Sequence, residues 1–186
     1  MIFRLAAAAI ALVAAAGASA TEKADPCKAC HGETGNSAIP MTPSLAGHSA
    51  AYTTLQLILF RERQRRDEVM MPLAADLSDE DIVELAAFFA VQKPESVDLP
   101  SPDEAKMQRG KTVADARHCG SCHLPDFSGR EQMARLAGQR EDYLVKAMTD
   151  YRDGRRAGLD GMMTGLLRDV GDDDIAALAH FLANQR

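Results

Sequence analysis

Between residues 78 and 90 the apolar side chains fall at Ile82, Leu85, Ala86 and Phe89. That spacing of i, i+3, i+4 and i+7 predicts an amphipathic helix. Ser78 stands ahead of it with Asp81 three residues on, the pattern of a capping box. A second stripe, Ile175, Leu178 and Leu182, follows Gly171 and three aspartates, Asp172, Asp173 and Asp174. Those carboxylates suit the positive end of a helix dipole. Further helices are expected over 49–65 and 140–153. No segment alternates convincingly with period two, so no substantial sheet is expected and the fold class is all-α.

One stretch departs from this amphipathic rhythm. Leu5 to Ala16 form an uninterrupted apolar run, preceded by Arg4 and followed by Ala18-Ser19-Ala20. The run is shorter than the roughly 18 residues of a membrane span. A positive start, a short apolar middle and a small-residue site mark residues 1–20 as a secretory signal peptide. The mature chain is then expected to begin at Thr21 and to work in a bacterial periplasm.

The chain also repeats itself. Cys27-Lys28-Ala29-Cys30-His31 returns 92 residues later as Cys119-Gly120-Ser121-Cys122-His123. Ser44–Gly47 meets Arg135–Gly138 at an offset of 91, as do Tyr52 with Tyr143 and Arg61 with Arg152. Asp81, Ile82, Leu85, Ala86 and Phe88 meet Asp174, Ile175, Leu178, Ala179 and Phe181 at 93. Small drifts of this kind are loop changes within a duplicated unit. Pro94, Pro100 and Pro102 with polar neighbours mark a linker over 93–102 between units at 21–92 and 103–186. Units of this size have thin apolar cores, and each is expected to fold poorly without its cofactor.

All four cysteines sit in the two pentads. In an oxidising compartment they could form disulfides, and two Cys-x-x-Cys pairs could hold zinc. Neither reading explains a histidine directly after each pair, and the separation of the pairs is far longer than in zinc ribbons. Covalent c-type haem attachment explains both features. Cys27 and Cys30, then Cys119 and Cys122, would form thioethers to two haems, with His31 and His123 as proximal iron ligands.

A methionine on the other side of each iron would close the site and favour electron carriage. The repeat register places Met70 over Met163, but Met71 over Thr164 and Val69 over Met162. Met70 and Met163 are therefore the expected ligands, and Met71 and Met162 packing residues. His48, His118 and His180 are not duplicated and read as structural; His48 faces Gln139 in the repeat. Two arginine groups, one at Arg61, Arg63, Arg65 and Arg66, the other at Arg152, Arg155 and Arg156, read first as solvated helix ends. Within them the repeat-matched Arg61 and Arg152 are the best candidates for a further role, either compensating haem propionates or forming a docking patch.

The formal net charge is −6, unevenly spread: residues 21–92 carry six basic and eleven acidic side chains, and residues 103–186 carry 13 and 14. An acidic surface argues against a nucleic-acid partner and is compatible with steering toward a basic protein patch.

Together the Cys-x-x-Cys-His pentads, the two Leu-Ala-Gly turns, the Met-x-Pro/Met-x-Gly segments and the last helices resemble tandem class I cytochrome c domains. The likeness is greatest to the di-haem cytochrome c4 family. The resemblance implies two helical domains facing each other about a pseudo-twofold axis, each with a His/Met haem, the haem propionates close together. It further implies that the Pro43 carbonyl accepts a hydrogen bond from His31, with Ala134 in the matching place for His123. A helix ahead of the pentad belongs to the pattern. Residues 101–118 can supply it for the second domain, whereas only six residues separate Ala20 from Cys27, so the first domain's is expected to be truncated or missing. The function expected is electron transfer between a redox donor and an acceptor protein (a terminal oxidase, a reductase or a dehydrogenase), with room for peripheral membrane association. The alternatives are the electron-accepting subunit of a flavocytochrome or quinoprotein dehydrogenase complex and, less favoured, a haem peroxidase.

Overall fold

The computed structural model describes residues 20–95, 99, 101–156 and 161–186; the expected signal peptide up to Ser19 and part of the expected linker lie outside them. Ten helices and no strand occur among the described residues. The first half holds α1 (Ala20–Lys23), α2 (Asp25–His31), α3 (Ala50–Arg61), α4 (Met70–Ala74) and α5 (Asp79–Ala90). The second holds α6 (Glu104–Ala116), α7 (Cys119–His123), α8 (Glu141–Arg152), α9 (Met162–Leu167) and α10 (Asp172–Ala183).

The capping box at Ser78 is present: its side chain accepts from Asp81 N–H, and Asp81 returns a bond to the Ser78 backbone. Gly171 leads α10 without a side-chain cap, and the three aspartates fill its first turn. Helix α3 starts at the expected place, with Ser49 accepting from Tyr52 N–H. It ends four residues early because Arg63 turns left-handed at φ 57°. The next two amides then fold back on Leu59 O, at 2.8 and 2.9 Å.

Helix α6 packs against α10 with Gly110 at the contact. A Cβ added there would lie 2.2 Å from Ala177 O, so only glycine allows this approach. In the first half, among the described residues, only the short helix α1 stands ahead of the pentad helix. Helix α1 rests on α5. Lys23 bridges Asp81 and Glu84 at 2.7 and 2.8 Å, and Ala24 is buried with Leu85 and Phe89. The second half has a larger apolar cluster, built on Leu144, Met148, Ile175, Leu178 and Leu182.

The repeat extends to individual hydrogen bonds. In each Leu-Ala-Gly turn the glycine adopts a left-handed φ, +68° at Gly47 and +69° at Gly138. Each donates its N–H to the last helix of its own half, Gly47 to Phe89 O at 3.1 Å and Gly138 to Leu182 O at 3.2 Å. Arg61 donates to Leu77 O and Asp79, and Arg152 to Val170 O and Asp172. This matched pair ties a long helix to the start of the last one. Both arginines spend Nε and Nη1 on protein acceptors, which supports a role as helix ties over one at the propionates.

Candidate haem-binding sites

Both Cys-x-x-Cys-His pentads form short helices, α2 and α7, which place the two sulfurs and the histidine of each on successive turns. No disulfide joins any of the four cysteines. Among the described residues no three His, Cys, Asp or Glu side chains come together as a metal site. The two pentads therefore do not build a joint zinc centre.

His31 and His123 are both buried. His31 Nδ1 lies 2.8 Å from Pro43 O, and His123 Nδ1 lies 2.8 Å from Ala134 O. A carbonyl can only accept, so each Nδ1 carries the proton and each Nε2 keeps a bare lone pair. Burial also pushes both imidazoles toward the neutral form. A fixed, neutral imidazole with Nε2 unprotonated is what iron ligation requires. Ala134 performs the same task as Pro43, so proline itself is not needed for the bond.

The expected methionines open or flank the next short helix of each half. Met70 is the first residue of α4, its N–H bonded to Asp67 Oδ1 at 3.0 Å. Met163 is half-buried against the second-half core, whereas Met162 is 51% exposed. Burial thus separates Met163 from Met162. Met70 and Met71 are both half-buried, and there the repeat register alone distinguishes them.

The two halves meet through polar side chains at matched positions. Arg65 donates to Tyr143 OH at 2.9 Å and to Gln56 Oε1 at 2.6 Å. Arg156 donates to Tyr52 OH at 3.4 Å, to Tyr143 OH at 3.4 Å and to Gln56 Oε1 at 3.2 Å. Arg65 lies over the Phe60 ring and Arg156 over the Tyr151 ring, at 4.4 and 4.6 Å. Ser49 donates to Glu131 O, and Met41 N–H to Asp142. Burial opposes ionisation of Tyr143, but the charges of Arg65 and Arg156 outweigh it and bring the phenol down to about 8.

Arg65, Arg135 and Arg156 make no ion pair with a carboxylate among the described residues, and Arg135 Nε and Arg156 Nε are buried without a hydrogen-bond partner. Arg156 is buried and Arg65 and Arg135 are half-buried; a buried cation calls for an anion. The carboxylates of two haems would fit that deficit, and the thiols and imidazoles would hold the remainder of each. By sequence alone Arg65 and Arg156 fall with the solvated helix ends. Their shared offset of 91 with Tyr52 and Tyr143 was the available signal.

Residues 107–186 match the family model for cytochrome c, and residues 13–89 match that for the cbb3-type cytochrome c oxidase subunit III. The chain is 35% identical to cytochrome c4 of Thiocapsa roseopersicina, over 84% of this chain and 85% of that one. It is 31% identical to the thiosulfate dehydrogenase electron acceptor of Stutzerimonas stutzeri, over 85% and 78%. The solved structure of reduced recombinant cytochrome c4 from Pseudomonas stutzeri superposes with a TM-score of 0.82 at 28% identity, covering 90% of this chain and 97% of that one. Duplicated helical halves, a thiol pair and a fixed imidazole in each, and these relatives lead to one assignment: the chain belongs to the cytochrome c4 family of di-haem electron-transfer proteins and carries two covalently bound haem c groups.

Proposed function

We propose that the protein is an exported, periplasmic electron carrier with His31 and Met70 on one iron and His123 and Met163 on the other. Cys27 and Cys30 tether the first haem, Cys119 and Cys122 the second. When bound, each haem supplies one-electron chemistry at its iron. The chain's own contribution is to hold both axial ligands, exclude water and offer a docking face. Arg65, Arg135 and Arg156 receive the haem carboxylates at the junction. The observation that carries the reading is the matched pair of buried imidazoles, each with Nδ1 committed to a carbonyl and Nε2 left bare.

The test is an optical spectrum of the oxidised protein with a haem count. Two haems per chain and a weak near-infrared sulfur-to-iron band are expected. Met70→Ala and Met163→Ala should each remove about half of that band, since each iron has one thioether ligand. Met71→Ala and Met162→Ala should leave it intact. A band that survives both ligand substitutions overturns the assignment.

A second reading has its own support. The similarity to a protein named as a thiosulfate dehydrogenase electron acceptor favours service as the electron-accepting partner of a dehydrogenase. A catalytic subunit copurifying in fixed ratio would establish that arrangement, and its absence favours the free carrier.

A further inference from the structure

The peptide unit between Pro43 and Ser44 is bonded at both ends. Its carbonyl accepts from His31 Nδ1, and its N–H, on Ser44, donates to Gln139 Oε1 of the other half at 2.8 Å. Gln139 also donates from Nε2 to Ser44 O at 2.9 Å, while its Oε1 takes a further bond from Arg140 N–H at 3.0 Å. The second half repeats the arrangement in reverse. The Ala134 carbonyl accepts from His123 Nδ1, and the N–H of the same peptide, on Arg135, donates to His48 Nδ1 of the first half at 3.2 Å.

His48 and Gln139 occupy the same place in the duplicated unit, directly after Leu-Ala-Gly. Both are buried, at 4% and 5% exposure. His48 stacks on Tyr52 with ring centroids 4.7 Å apart, which fixes its plane. Burial, reinforced by the charge of Arg135, drives its pKa down to about 3, so the ring is neutral and Nδ1 is free to accept. Different side chains thus do one job at equivalent sites, and each does it for the other half's histidine.

We propose that His48 and Gln139 are positioning residues that set the axial imidazole of the opposite haem through a shared peptide group. The inference rests on His31 and His123 being the iron ligands. An acceptor on the N–H polarises the peptide and strengthens its carbonyl as an acceptor. The carbonyl then draws harder on the Nδ1 proton, the imidazole becomes a stronger donor to iron, and the oxidised state is favoured. Each residue therefore lowers the reduction potential of the iron across the junction. The orientation of each ligand ring becomes a property of both halves together.

The experiment is a redox titration of the full-length holoprotein. Met70→Ala and Met163→Ala act as reference variants, each displacing the step of its own iron. Gln139→Leu is expected to raise the potential of the His31 iron and leave the other step in place. His48→Leu is expected to raise the His123 step only. His48→Gln, which supplies the residue the other half already uses, should restore the parent value. If leucine at 139 prevents haem retention, Gln139→Asn, one methylene too short to reach Ser44, takes its place. Steps unmoved, a shift in the variant's own half, or an equal shift in both steps overturns the proposal. Failure of the reference variants to displace either step would instead strike the ligand assignment.

Discussion

Gly110→Ala sets two effects of opposite sign against each other. In an exposed helix alanine is favoured over glycine by about 1 kcal/mol. At Gly110 the new Cβ would lie 2.2 Å from Ala177 O and 2.6 Å from Phe181 Cβ. A comfortable carbon–oxygen contact needs about 3.3 Å, so α6 must retreat from α10 by roughly 1 Å. Gaps of that size forfeit about a quarter to a half of each dispersion contact along the crossing. Overpacking of this kind costs about 1–3 kcal/mol. The steric effect exceeds the propensity gain over most of that range, for a net loss of up to about 2 kcal/mol. Gly165 in α9 is the control: a Cβ there meets nothing within 4 Å, so Gly165→Ala should gain about 0.5–1 kcal/mol. Urea unfolding of the holoprotein, followed by helical circular dichroism and by loss of the near-infrared band, reads both. A Gly110→Ala protein stabilised to the same degree as Gly165→Ala would refute the close crossing, and with it the docking of the second half's first helix.

Two further outcomes follow from the junction and the helix starts. Tyr143 has a folded pKa of about 8 against an ordinary value of 10.0. The unfolded state therefore binds more protons between those values, and stability should rise with pH across that window. The contribution is complete above the unfolded value and lost as pH falls through the folded one, and Tyr143→Phe should abolish the rise in thermal melts across this range. Gly171→Ser would give α10 the side-chain cap that Ser78 provides for α5; calorimetry should show a gain of a few tenths of a kcal/mol, and a lower melting temperature would count against the capping account.

The helical class and both last helices were legible because Ser78, Asp81 and the apolar stripes obey local rules. The pentads and the Met70–Met163 match were legible because duplication makes a position argue for its counterpart. The early end of α3 was not, because a left-handed arginine at residue 63 has no side-chain signature. The separate roles of Arg61, Arg65, Arg152 and Arg156 were not legible for a related reason. All four share one offset, and only tertiary placement separates the two that pin helix starts from the two that reach the junction. The register sets His48 opposite Gln139, but their shared role was not legible because the two are chemically unlike, whereas a backbone N–H asks only for an acceptor.

The reciprocal contacts across the junction are those of an isologous interface, where residue i meets j and j meets i. A homodimer bound in that way would have to carry the same side chain at both ends of its axis. Covalent fusion lifts the restriction, and this chain uses the freedom, with an imidazole at one end and a carboxamide at the other. Two nearly identical centres can thus be set to unequal driving force, giving charge a preferred direction of travel through a molecule whose architecture is otherwise close to symmetric.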